Sequence, residues 1–403
     1  MHFFFAQNVK TTDPTDHHNR HMEEKKQMIR YRLGRIFVFL GLLGILLSSF
    51  ATGPSTAHAG GTIKIDDVRS VSVGMGLRTS FNMIEDAAPS GEDWSKDFNL
   101  DSFRFYLAGQ LHSIIGFEFN TDYDTAPAGT EDIRVLDAVI KFGFSDYVNI
   151  WIGRFLPPSD RSNLSGPYYL NSWDFPFVQM YPAIFAGRDN GAAIWGQIGG
   201  GRFKYQVGAF EGLGDAAGGP NQDDNFLYAG RLTLNLWDPE AGYYNSSTYY
   251  GSMNVLAIGV AAMTQKNAVG DATTPGDFTG WNVDFLAERN LGSAGVATLE
   301  GAYYDYDNEG FATEGDGYFA LVSYLLPAKI GGEKIQGQLQ PLVRYQSFES
   351  EGPAGAEHTR LDVALSYIIS GHNARITLVY SQDDPGGAAE EFDIIKLGLQ
   401  FQI

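Results

Sequence analysis

The 403-residue sequence contains no cysteine. Disulfides in an oxidising compartment are therefore excluded, as is covalent haem attachment through a Cys-x-x-Cys-His motif. Histidine is scarce: beyond residue 59 only His112, His358 and His372 occur. No Ser-His-Asp cluster is legible from their spacing, so an enzyme is not expected. Positive charge is in deficit. The formal net charge is −20; without the seven basic and four acidic residues before Gly60, 21 Lys and Arg face 44 Asp and Glu, a net charge of −23. Nucleic-acid binding, which needs a basic surface to neutralise phosphates, is not expected either. Long apolar runs are also missing. The single candidate, Ile36 to Leu47, is interrupted by Gly41 and Gly44 and falls short of the ~20 residues of a membrane-spanning helix.

That short run has the features of a secretion signal. Arg30, Arg32 and Arg35 precede it, and Ala57-His58-Ala59 supplies the small residues of a cleavage site. Residues 1–59 are thus read as an N-terminal extension and cleaved signal peptide, and 60–403 as one domain. The first 27 residues carry no structural pattern, and Met22 or Met28 would each open an ordinary leader.

What the chain has in abundance is two-residue alternation. The last segment, Phe392 to Ile403, sets Ile395, Leu397, Leu399, Phe401 and Ile403 on one face of a strand and Lys396, Gly398, Gln400 and Gln402 on the other. The same pattern opens the domain, where Val71, Val73, Met75 and Leu77 alternate with Ser72, Gly74, Gly76 and Arg78. It recurs to give about sixteen segments of the length of tilted barrel strands. The fold expected is all-β, a transmembrane antiparallel β-barrel whose final strand closes against the first.

Connection lengths carry the same message, because such barrels join strands by short turns at the periplasmic end and longer loops outside. The odd connections are long: 82–97, 124–131, 155–190, 211–226, 264–279, 305–316, 347–358 and 382–391. Most even ones are tight, with 237–253 and 326–336 looser. The third loop, Phe155 to Asn190, holds five of the sixteen prolines and many aromatics, among them Tyr168, Tyr169, Trp173 and Tyr181. Such apolar area is costly to leave in water, so the loop is expected to fold into the lumen. A cap over the external mouth or a subunit contact is the alternative.

Three stretches now carry a resemblance. Ile150-Trp-Ile-Gly-Arg-Phe-Leu-Pro-Pro158, Gly187-Arg-Asp-Asn-Gly191 and Gly201-Arg-Phe-Lys-Tyr-Gln-Val-Gly-Ala-Phe-Glu-Gly212 resemble the central signature of the phosphate-selective porins O and P. The resemblance implies a trimeric, sixteen-stranded, substrate-selective channel in the outer membrane with an inward-folded third loop. No lysine-rich stretch matches the phosphate site of that family's members. The function expected is passive diffusion of small hydrophilic solutes, with anions such as phosphate as candidates. The other reading is a barrel sheath around a separate electron-transfer or export protein. Expected partners are outer-membrane lipid and lipopolysaccharide, and the barrel-assembly machinery through the C-terminal strand; no cofactor is expected.

Inward faces by alternation carry Arg78, Arg104, Lys141, Lys204, Arg231, Arg344, Arg360, Arg375 and Lys396, with acids including Glu118, Asp122, Asp137, Asp284 and Glu288. A ladder of guanidinium groups would draw anions; alternatively the arginines pair with carboxylates on neighbouring strands. Arg154, Asp160, Arg161, Asp174, Arg188 and Asp189 are the constriction candidates. For Arg154 this requires the strand to end or bulge near Gly153. Asp305, Asp307, Glu309 and Asp316 approximate the oxygen spacing of a calcium loop, with departures at its fifth and twelfth positions; a solvated acidic loop is the alternative. Tyr147, Trp151, Tyr243, Tyr244, Tyr249, Tyr250, Tyr303, Tyr324, Tyr345, Tyr367, Tyr380 and Phe401 are expected mostly near strand ends in the headgroup layer. Pro341, inside an apolar strand pattern, predicts a strand end or a bulge.

Overall fold

The computed structural model describes residues 61–125, 131–182, 186–214, 217–309, 314–332, 335–351 and 355–403. The leader and the proposed cleavage site at Gly60 lie outside them. Alternation becomes strand almost throughout. The strands are β1 (Gly61–Lys64), β2 (Ser70–Ile84), β3 (Asp97–His112), β4 (Ile115–Thr125), β5 (Glu131–Gly143), β6 (Asn149–Phe155), β7 (Asp189–Ile198), β8 (Phe203–Phe210) and β9 (Leu227–Asn235). They continue with β10 (Val255–Gly270), β11 (Pro275–Asn290), β12 (Val296–Asp307), β13 (Gly315–Leu325), β14 (Lys329–Ile330), β15 (Gly337–Ser350), β16 (Glu357–Ser370), β17 (Ala374–Asp384) and β18 (Phe392–Gln402).

Sixteen of these form a closed antiparallel barrel; β1 and β14 are short additions beside β2 and β15. Closure comes from β18, which pairs with β2 from Ile394↔Ile84 to Gln402↔Gly76. The seam between the first and last long strands is thus paired, as the terminal alternation predicted.

The barrel inverts the burial of a water-soluble domain. In β9, Arg231, Thr233 and Asn235 are buried, whereas Leu232 is 53% exposed on the outer face. Likewise in β11, Asn282, Asp284 and Glu288 are buried while Trp281 and Val283 face out. Each large apolar side chain left in water forgoes about 1.5–3 kcal/mol. A whole exterior of them exceeds the stability of an ordinary fold, so this surface requires hydrocarbon around it.

Three expected loops are shorter than their sequence limits. The 264–279 stretch is strand up to a tight turn, with Gly270 paired to Pro275 and the Asp271 carboxylate accepting from the amides of Thr273 and Thr274 at 2.7 and 2.9 Å. β12 and β13 likewise extend into 305–316, and β15 and β16 into 347–358. Beyond the bilayer both faces of a strand meet water, and period-two alternation no longer marks it. Pro341 marks neither a strand end nor a bulge: it lies inside β15 and pairs with Leu365 in unbroken register with β16. The ladder to β13 stops one residue away, at Ser323↔Leu342, which is the strand end relevant to a missing donor.

Candidate pore constriction

The chain between β6 and β7 carries one short helix, α1 (Arg161–Ser165), capped by Asp160, whose carboxylate accepts from the amides of Ser162 and Asn163 at 3.0 and 3.4 Å. Tyr304 donates to the same carboxylate at 2.8 Å, and Gln179 donates as well. Helix and cap are almost fully buried. A buried polar segment must find partners, and it finds them on the barrel wall.

Five wall cations hold the segment. Arg78 donates to the Trp173 carbonyl at 2.6 Å, its guanidinium 4.1 Å from the indole ring centre. Arg375 donates to the Leu170 carbonyl at 2.8 Å. Arg344 reaches Ser172 Oγ at 3.0 Å and the Asp174 carbonyl at 2.8 Å. Arg231 donates to the Ser159 carbonyl at 3.0 Å, and Lys396 pairs with Asp174 at 2.6 Å. Wall glycines make room for the rings: a Cβ at Gly76 would lie 2.7 Å from Tyr168, and one at Gly398 2.6 Å from Trp173.

A second segment approaches from the opposite end. The connection between β9 and β10, residues 236–254, buries Glu240, Tyr243, Ser246, Ser247 and Thr248. Glu240 forms a bidentate pair with Arg161 at 2.8 and 2.7 Å, and Arg161 also donates to the Ser246 carbonyl at 2.7 Å. Tyr243 donates to the Leu156 carbonyl at 2.9 Å, and the Ser247 amide to the Tyr169 carbonyl at 3.1 Å. Glu288 of β11 steadies this turn by accepting from Thr248 Oγ1 and the amides of Tyr249 and Gly251. Burial alone would raise the Glu240 pKa, but the Arg161 guanidinium overrides it and holds the carboxyl down at about 2.

Cavities open beside β3 to β5. A 560 Å³ cavity borders the inward residues Arg104 and Tyr106 of β3, Glu118 and Asn120 of β4, and Asp137 of β5. A 240 Å³ cavity toward the long-loop end shares Arg104 and Arg188 with it. A third, of 350 Å³, lies toward the short-turn end along the same strands, beside Gln110, Lys141 and Trp151. Ion pairs mark this stripe: Arg104–Asp122 at 2.7 Å, Arg188–Asp137 at 3.2 Å, and Lys141–Glu118.

The six constriction candidates therefore divide. Asp160, Arg161 and Asp174 belong to the docked segment, and Arg188 stands at the junction of two cavities. Arg154 does not join them. The registers of β6 with β5 and β7 pass through Gly153 unshifted, so alternation turns Arg154 to the side of Ile150 and Ile152. There it bonds Asn190 Oδ1 at 2.9 Å and the Val135 carbonyl at 3.3 Å. Gly153 is needed for close approach instead of a bulge: its φ is 133°, and a Cβ would sit 2.1 Å from the Ala138 carbonyl oxygen. Asp189 is buried, its carboxylate accepting at 2.7 Å from the amides of Asn190 and Gly212.

Of the remaining wall candidates, Arg360 pairs with Asp362 at 3.0 Å and Asp383 at 3.3 Å, and Lys204 donates to the Gly242 carbonyl at 3.1 Å. The calcium candidates do not converge: Asp305 and Asp307 lie within β12, Asp305 opposite Asp316 of β13, while Glu309 accepts from the Asp277 amide. No group of three or more metal-binding side chains occurs among the described residues. Trp151, Tyr243, Tyr244, Tyr249 and Tyr250, expected from sequence to be headgroup anchors, instead point inward. Trp151 stacks on Tyr243 at 4.5 Å, and Tyr147, Tyr303 and Tyr345 remain exposed outside.

No protein-family model and no curated protein sequence matches the chain. Solved structures do resemble it. The anion-selective porin of Comamonas acidovorans aligns at 13% identity and TM-score 0.55, over 83% of this chain and all of that one. The outer membrane channel DcaP of Acinetobacter baumannii aligns at 12% and 0.54, over 86% and 100%. The trimer form of in-vitro folded OmpT, an outer membrane protein of Vibrio cholerae, aligns at 13% and 0.51, over 84% and 100%. The fold is that of bacterial outer-membrane porins, and the apolar exterior suits that membrane.

Proposed function

We propose that the chain is an outer-membrane porin through which small hydrophilic solutes diffuse passively, without catalysis. Three cavities in succession along the inward stripe of β3 to β5 carry this reading. The described parts of the connection between β6 and β7 and the 236–254 turn dock inside the barrel, which makes the path eccentric, and Arg104 and Arg188 form its neck, where two of the cavities meet. Most of the other wall cations serve to dock the segment or to pair with carboxylates. Anion preference, phosphate included, then rests on Arg104, Arg188 and Lys141, each offset by a carboxylate, and is modest.

A sheath for a second protein needs an open lumen, which the docked segments oppose. A homotrimer, exported after cleavage before Gly60 and inserted by the assembly machinery through β18, completes the proposal; OmpT, of similar fold, has a trimer form. Planar-bilayer recording of the refolded Gly60–Ile403 chain tests it. Steady channels with a small anionic reversal potential are expected, and a folded barrel without conductance would refute it.

A further inference from the structure

The 560 Å³ cavity is within the size range of small-molecule sites, and its two sides differ in chemistry. One side is charged. Arg104 uses Nε on Asp122, and Arg188 uses Nε on Asp137 and Nη1 on the Ala186 carbonyl. Among the described residues, both Nη atoms of Arg104 and Nη2 of Arg188 have no acceptor. These residues are only 6% and 5% exposed, and both border the two cavities. A guanidinium so buried and only partly bonded is a site for a carboxylate-type anion.

The other side is aromatic. Tyr106 of the wall, Tyr168 and Tyr169 of the docked segment, and Tyr244 and Tyr249 of the 236–254 turn all border the same space. Tyr106, Tyr169 and Tyr244 make no hydrogen bond through their hydroxyls among the described residues, whereas Tyr168 meets Ser102 and Tyr249 donates to Glu240. Rings that served only to fill the lumen would be packed on both faces; these border a void. Three separate parts of the chain supply them, and two of the three are held together by the Arg161–Glu240 pair.

We propose that this chamber is a binding site for a small ring-bearing carboxylate, its carboxylate on the spare guanidinium nitrogens at the neck and its ring against the tyrosine faces. The assignment rests on the porin reading and gives that path a preferred solute class. The 236–254 turn is then a specificity element contributed from the short-turn mouth.

The test records single channels of the refolded chain with benzoate, acetate or benzyl alcohol on one side. Benzoate is expected to interrupt the current at about tenfold lower concentration than acetate or benzyl alcohol. Tyr244→Ala should bring benzoate close to acetate while channels persist, and Arg188→Gln should weaken both acids. Equal block by benzoate and acetate overturns the ring site, and equal block by benzoate and benzyl alcohol overturns the carboxylate site. Unchanged benzoate block in Tyr244→Ala removes the turn from it. Should the barrel fold without conducting, the porin reading fails separately. Benzoate titrated calorimetrically into the detergent-folded barrel then decides the site, with saturable binding lost in Arg188→Gln supporting it and no binding refuting it.

Discussion

Removing Glu240 should release the docked segment from the 236–254 turn. The Arg161 guanidinium is 1% exposed and donates two hydrogen bonds to the Glu240 carboxylate. What remains after Glu240→Ala is the Ser246 carbonyl at 2.7 Å and Asp284 at 4.0 Å, itself already engaged by Arg231 at 2.5 Å. Stranding one partner of a buried pair costs about 3–5 kcal/mol. Local opening should rise accordingly, by roughly two to nearly four powers of ten. Trypsin reads this directly, because Arg161 precedes Ser162 and the peptide bond is sealed while α1 is docked; cleavage by a dilute protease follows the open population. The variant should be nicked after Arg161 at least about a hundredfold faster, with the barrel intact. The double variant Arg161→Met/Glu240→Met, which leaves no stranded charge, is expected to keep the segment docked, assessed by conductance because its trypsin site is gone. Nicking of Glu240→Ala at the wild-type rate would show that the pair does not hold the two segments together.

Acid should act on the same link within a defined window. The Glu240 carboxyl titrates at about 2 when folded against an ordinary 4.5, so its contribution is fully present above 4.5 and is lost as pH falls through 2. Conductance should be steady from pH 7 to 5 and become larger and noisier toward pH 3; a change complete by pH 5.5 would refute the assignment. Arg188→Ala should shift the reversal potential toward cations, since Asp137 loses its cation, while Arg154→Ala on the outer face leaves it unchanged; equal effects in a salt gradient would reject the eccentric path. Gly398→Leu, placing a side chain where Trp173 packs within 2.6 Å, should dislodge the segment and raise conductance with the barrel still folded, seen by its mobility in unheated gels. Wild-type conductance there would mean that Trp173 does not anchor the segment.

The sequence is most legible where lipid and water face opposite sides of one strand. Val71 to Leu77 and Ile395 to Ile403 alternate cleanly, and both become strands that close the barrel. Where that contrast ends, so does the signal, which is why 264–279 reads as loop yet pairs as strand. Its prolines and aromatics marked the connection between β6 and β7 as unlike the other loops. The 236–254 turn carried a similar cue in its four tyrosines, but tyrosine serves equally at a headgroup layer and in a lumen. Alternation alone placed Arg154 outside, and it was the assumed break at Gly153 that misdirected it.

The density of wall arginine is a poor guide to what this barrel selects. A lumen without the docked segment would expose Arg78 and Arg375 alongside Arg231 and Arg344, of which the last two are already paired with Asp284 and Asp362 on the wall. With the segment present, those same groups donate to Trp173, Ser159, Asp174 and Leu170 carbonyls. A backbone carbonyl carries no net charge, so at Arg78 and Arg375 each such bond fixes the guanidinium in place without neutralising it, whereas Asp284 and Asp362 offset Arg231 and Arg344. The field felt at the neck is therefore the sum of distant buried cations and the near pairs at Arg104, Arg188 and Lys141. Distance and the intervening protein weaken the first, and carboxylates offset the second. On the proposed porin reading, selectivity would come from donors left unused at short range, the outer nitrogens of Arg104 and Arg188.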